Sequence, residues 1–333
     1  MRIGYFAHSP EFVPGSTPPE RLEFLRQIGF EDVILVEQPI DRCDLISLVR
    51  AREMFEDFGL RLIAIENIAP QERMIQPIIL GTSDRDGRVA EIQEAVVAMG
   101  RAGIRYYGLH WHVAANSPPG HGVVRTSVNT RGRGGALVTA FDVAKLPELA
   151  TAAGGISEEV LWENFEGFLR DIIPVAESAG VTLGIHPHDP PLRGWGYPRI
   201  FTRLRDFQNA AQLASSSSWG LTFCLGNWQL MGEGELFKAI NEFGSSRAIN
   251  YVHVQAVRGS ANQFTECFPE EGDCDLAEVI RALHAVGFDG TLVPAHMPDL
   301  AGRASDPNHE RSTAYAVGYL KALLQSSAPA APH

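Results

Sequence analysis

Cysteine is scarce in this chain, with Cys43, Cys224, Cys267 and Cys274 as the only four among 333 residues. Their spacing matches no zinc finger and no C-x-x-C pair, so neither a structural zinc module nor a dithiol redox site is expected. No run of about 18 apolar residues occurs, which excludes a membrane-spanning helix. The start, MRIGYFAHSP, lacks a basic segment followed by an apolar one, so no secretory signal is expected. These absences make the cytoplasm, with reduced thiols, the expected setting. Positive charge is also short, with 28 Lys and Arg against 40 Asp and Glu and a net charge of -12. That argues against nucleic acid or an anionic membrane as a partner. An anionic small molecule stays open, because a metal and a few arginines can invert the charge locally. What the chain has is apolar bulk: 45% hydrophobic residues, enough to fill a large core.

Eight short apolar segments alternate with helical patterns. The expected strands are 2–6, 32–36, 61–66, 106–110, 182–186, 220–224, 250–254 and 290–294. The expected helices are 20–27, 44–56, 88–102, 157–179, 201–213, 235–243, 276–285 and 311–324, with Ser157 as an N-cap. Glycines at 29, 59, 103, 180 and 287 stand where helices should end in a left-handed residue. This rhythm predicts an α/β fold, a (β/α)8 TIM barrel forming one domain over residues 1–325. Residues 114–156 break the rhythm with Pro, Gly, Ser, Thr and basic residues. This long insertion follows strand 4, on the active-site face, and is expected to act as a lid or substrate-binding element. The tail 326–333 is expected to be disordered and to carry no role.

The most informative stretch is VTLGIHPHDPP, residues 181–191, where an apolar run stops at two imidazoles, a carboxylate and prolines. GLTFC ends in Cys224, INYVHV carries His253 and TLVPAH ends in His296. In a parallel barrel such strand ends converge on one face. His186, Cys224 and His253 are therefore expected to share a divalent metal, with His296 as a fourth candidate ligand. Thiolate and imidazole suit transition metals and argue against magnesium, and three ligands with open positions describe a catalytic site. A lone strand-end His more often makes an ordinary hydrogen bond, and a lone Cys is usually a small hydrophobe. The case rests on their shared register. Glu66, His110, Trp111, His112 and Arg258 are candidate substrate-binding residues at or just beyond other strand ends.

The run LWENFEGFLRDIIPVAESAGVTLGIHPHDPP resembles the central signature of the mannonate dehydratase family, within the xylose-isomerase-like barrels. GLTFCLGNW, YVHVQAVRG, FTECFPEEGDCDL and GFDGTLVPAH follow in that family's order, and the likeness covers roughly residues 55–325. The resemblance implies a metal-dependent lyase that removes water from a sugar acid. It also implies a manganese-type site at His186, Cys224 and His253, although zinc, cobalt or iron would suit the same donors. Three departures accompany it. Ala295 stands where the family has a ligand Asp, beside a retained His296. Arg311 falls where the family has a catalytic Tyr, with Tyr315 one turn further on. His188 replaces a family Asp. His296, Arg311, Tyr315 and His188 are accordingly the candidate catalytic residues. The expected partner is a small sugar acid or keto-sugar, and the expected assembly a homo-oligomer. A sugar isomerase or epimerase is the alternative function, since it begins with the same enolisation. A sugar-acid binder without turnover is the third.

Overall fold

The computed structural model of the protein describes residues 1–113, 123–146, 156–193, 198–300 and 310–327. Its strands are β1 (Arg2–His8), β2 (Asp32–Pro39), β3 (Arg61–Ala69), β4 (Tyr106–His110), β5 (Ser127–Arg131), β6 (Leu137–Asp142), β7 (Thr182–His186), β8 (Trp219–Cys224), β9 (Ile249–Val254), β10 (Val257–Ser260), β11 (Gln263–Glu266) and β12 (Thr291–Pro294). Eight of them close a parallel barrel in the order β1-β12-β9-β8-β7-β4-β3-β2. This is the (β/α)8 fold expected from the sequence. Strands β8 and β9 are buried along their whole length, as parallel strands must be when helices cover one side and a filled barrel the other.

Two layers of core hold the barrel. The outer one packs strands against helices, through residues such as Phe55, Ile92, Phe168 and Ile280. The inner plug is small, comprising Ile34, Ala64, Tyr251 and Val293 with Phe6, Val36 and Tyr106 beside it. Gly108 is required there, because a Cβ at that position would run into the Tyr251 hydroxyl. At the N-terminal ends of the strands, buried Asp32 accepts from Arg2 Nε and Arg61 Nε, both at 2.9 Å, and from Thr291 Oγ1. One carboxylate thus joins β1, β2, β3 and β12. All five expected helix-ending glycines adopt left-handed φ.

Two details differ from expectation. The helix expected at 201–213 runs from Leu204 to Ala214, because the Phe201 carbonyl accepts from His188 N and Asp206 caps Thr202. The insertion, where the sequence breaks the strand–helix rhythm, contains β5 and β6. These pair with the β10–β11 hairpin in a four-stranded antiparallel sheet of order β10-β11-β6-β5. Val124, Phe141, Leu230, Val257 and Phe264 form a separate apolar cluster under that sheet. Short, mostly half-buried or exposed strands with neither strict alternation nor a long apolar run gave no signal. Residues 114–122 and 147–155 of the insertion, and residues 328–333 of the tail, lie outside the described residues.

Candidate metal centre

Strand pairing sets the heights of the site residues. His110 is paired with His186 across β4 and β7, and Cys224 with His253 across β8 and β9. Donor atoms of His186, Cys224 and His253 come within 4.8 Å of one another, and all three residues are buried. The chemistry of the set fits a transition metal. His186 Nδ1 lies 2.6 Å from the Pro187 carbonyl, which can only accept. That fixes the proton on Nδ1 and leaves Nε2 as the ligand nitrogen. Burial, reinforced by His110 and His253, holds the His186 pKa well below the usual range, so the ring is in its neutral, ligating form.

The thiol has its own partners. Cys224 Sγ lies 2.9 Å from Gln255 Oε1 and accepts from Asn227 Nδ2 at 3.1 Å. Burial first, then Asp189, pushes the Cys224 pKa up, so the protein alone keeps the thiol protonated and a cation must displace that proton. Behind His253 sits Glu66. Its carboxylate meets His253 Nε2 and His110 Nε2 at 3.0 Å each and accepts from the Tyr251 hydroxyl at 2.8 Å. Burial opposes its charge, but His253 and His110 outweigh that and hold its pKa well below the usual range. His110 also stacks on His186, with ring centroids 4.0 Å apart.

A cavity of about 240 Å³ opens beside these groups. Glu66, His110, His186, His253, Ala295 and His296 all line it. Three of its lining residues, Glu37, Asn67 and His296, have left-handed φ of 58°, 61° and 54° without being glycine. Three of the five described non-glycine residues with left-handed φ thus line this cavity, the others being Ser215 and Arg247.

His296 does not join the trio. It groups with Asp189 and Glu266 instead, Nδ1 lying 3.0 Å from Glu266 Oε1 and Nε2 3.8 Å from Asp189 Oδ2. Arg125 spans the same two carboxylates, so they already hold a cation. Burial lowers the His296 pKa, but Glu266 more than compensates and leaves it raised. The expectation of His296 as a fourth ligand is thus met by an imidazole engaged elsewhere, at the edge of the cavity.

Other expected residues fall outside the cavity lining. Trp111 is buried against Phe165 and Phe168, because its side of the strand faces the helix layer. His112 is buried behind His110 with its pKa lowered by burial to about 3. The His188 ring packs beside Phe201 and its Nε2 has no hydrogen-bond partner among the described residues. Exposed Arg258 donates to the Glu271 carbonyl. Tyr315 is 40% exposed on the last helix, Glu310–Ser326, where its hydroxyl engages Glu270 and Arg133. Arg311, near the start of the same helix, is also exposed. The helix lies outside the barrel, and that removes both from the cavity.

Sequence reasoning missed Arg125, Asp189, Gln255 and Glu266. Asp189 had a signal, since it sits within HPHDPP. Glu266 ends a short hairpin strand and Arg125 lies in the insertion, so neither follows a barrel strand.

A family profile described as D-mannonate dehydratase (UxuA) matches residues 143–331. A mannonate dehydratase of Enterococcus faecalis is 29% identical over 314 residues, covering 83% of this chain and 85% of that protein. One of Thermotoga petrophila is 27% identical over 327 residues, covering 86% and 88%. The crystal structure of mannonate dehydratase from Streptococcus suis superposes with a TM-score of 0.84 at 23% identity, covering 100% of this chain and 99% of that one. The profile spans more than half of the sequence, and the chain belongs to the D-mannonate dehydratase family.

Proposed function

We infer that this chain is a hydro-lyase that removes water from a sugar acid, with D-mannonate as the substrate and manganese as the metal. The observation that carries the reading is the meeting of His186, Cys224 and His253, two of which, His186 and His253, line a cavity together with Glu66, His110 and His296. Those three would hold the ion, and Ala295 in the cavity wall adds no donor, which suits an open, catalytic arrangement. A bound divalent ion supplies Lewis acidity toward a carboxylate and its neighbouring hydroxyl, which acidifies the proton between them.

The chain's own groups then divide the work. The hold of Glu266 on Nδ1 and a 27% exposed ring at the cavity support His296 as the group that moves a proton at Nε2. As the neutral imidazole it would take the proton beside the carboxylate, and the imidazolium so formed, favoured by its raised pKa, would give that proton to the departing β-hydroxyl. Glu66 and His110 line the floor and are the polar contacts for substrate hydroxyls. Trp111, His112, His188, Arg258, Arg311 and Tyr315 receive no role at the reacting atoms. A cytoplasmic setting suits the buried thiol donor and the four free cysteines.

The test is product analysis. Manganese-loaded protein incubated with D-mannonate should give a 2-keto-3-deoxy acid, one water lighter. A product of conserved mass would replace the lyase reading with an isomerase or epimerase. Bound D-mannonate recovered unchanged would leave a binder.

A further inference from the structure

Arg125 belongs to the insertion, yet its side chain is only 5% exposed, between two carboxylates that are 1% exposed. It meets Asp189 through both terminal nitrogens, at 2.7 and 2.9 Å, and Glu266 through Nη2 and through Nε at 3.1 Å. A planar guanidinium matches two carboxylates in this way, and a lysine would not. Asp189 follows β7 and Glu266 closes β11, so one cation joins three separate stretches of chain. The insertion also grips the other Glu266 oxygen, Oε2, through the Thr139 hydroxyl on β6. Gln255 Nε2 donates to Oε1 at 2.8 Å from the barrel side.

Oε1 is also the oxygen that engages His296 Nδ1. Removing the guanidinium would leave two carboxylates buried side by side with too few donors. A buried charge without its partner is strongly unfavourable, so one carboxyl must turn away or take a proton. Either change alters the hydrogen bond that sets the tautomer and angle of the His296 ring.

We propose that Arg125 and Glu266 are positioning residues of the reaction. Arg125, delivered by the insertion, fixes the Glu266 carboxylate, and Glu266 fixes the His296 ring through Nδ1, leaving Nε2, 3.8 Å from Asp189 Oδ2, as the nitrogen that handles the proton. This rests on the reading of His296 as the proton-handling group. The insertion then contributes to catalysis without touching the reacting atoms. Its folding onto the β10–β11 hairpin and the readiness of His296 become a single event.

The experiment compares Arg125→Ala, Arg125→Lys and Glu266→Gln with the wild type. Turnover of D-mannonate is measured on manganese-loaded protein, and histidine-ring ¹⁵N spectra on zinc-loaded protein, which is diamagnetic. Arg125→Ala and Glu266→Gln should lower kcat by about 10- to 100-fold, with manganese content and KM little changed. Added guanidinium should restore part of the loss in Arg125→Ala and none in His296→Ala. The hydrogen-bonded Nδ1–H signal of His296 should weaken in both variants. Arg125→Lys, which keeps the charge and guards against misfolding, should fall between wild type and Ala. An unchanged Nδ1 signal, or a kcat loss that merely follows manganese loss, overturns the proposal. A wild-type protein inert toward D-mannonate would sink the dehydratase reading instead, and the Nδ1 signal alone would then decide the role of Arg125.

Discussion

Tyr251→Phe removes a single oxygen from beneath the metal centre, and its consequences can be worked through. The hydroxyl donates to Glu66 Oε2 at 2.8 Å and accepts from Thr222 Oγ1 at 3.2 Å. Thr222 keeps a second acceptor, the Gly184 carbonyl at 3.3 Å, so it loses little. Ring packing is retained, and no sizeable void opens. The cost is then one hydrogen bond to a buried carboxylate, about 1.5–3 kcal/mol. For a chain of this size that lowers Tm by about 2–4 °C. The same loss loosens Glu66, whose other contacts are His253 and His110. Because Glu66 meets His253, a candidate metal ligand, metal affinity should fall by about tenfold, the lower end for outer-shell partners. Thermal melts of metal-free protein and competition titrations with a zinc-sensitive dye separate the two effects. Unchanged zinc affinity alongside the expected Tm loss would refute the link from Tyr251 through Glu66 to the metal. Gly108→Ala offers an independent route, since its methyl group would displace the same hydroxyl.

Further outcomes follow from the same geometry. Cys224→Ser keeps shape but replaces thiolate with a poor ligand, so bound transition metal measured by elemental analysis should fall sharply while the fold survives. Tyr315→Phe should leave turnover unchanged, because its hydroxyl engages Glu270 and Arg133 at the surface; a large kcat loss would place Tyr315 in the reaction after all. The raised His296 pKa stabilises the fold fully below the unfolded histidine value of about 6.5, and this is lost as pH rises through the folded value. Tm of the wild type should therefore decline above that pH relative to His296→Gln; parallel profiles would contradict it. Asp32→Ala removes the clamp at the far end of the barrel, whose arginine partners are 34% and 53% exposed. Discounting for that solvent screening, denaturant unfolding should report a loss of about 2–3 kcal/mol, with kcat unchanged.

The barrel was legible because its strands are buried on both faces and stop abruptly. TLGIH ends where Pro187 cannot continue the ladder, and WGLTFC ends where Leu225–Leu230 begins a helix. Parallel register then brings the tips together with no further information from the chain. That is why His186, Cys224 and His253 could be grouped from their place on the strands alone. His296 was readable as a site residue but not as a partner of Glu266, since its left-handed φ of 54° turns it from the line of β12.

The cluster of Arg125, Asp189, Glu266 and His296 follows another logic, and it left little trace in the sequence. Arg125, Asp189 and Glu266 come from an insertion, a proline-bounded loop and a hairpin, and none of these has a period to read. What unites them is charge balance in a buried place. Two carboxylates, one guanidinium and one imidazolium sum to zero, and each charge has its counterpart within hydrogen-bonding reach. Such a balance depends on distances between segments far apart in the chain. Gln255 joins this cluster to the candidate metal centre, with Oε1 toward the Cys224 thiol and Nε2 on Glu266. It lies two residues beyond His253, just past the end of β9. The end of β9, which was legible, therefore also fixes where the Glu266 cluster attaches.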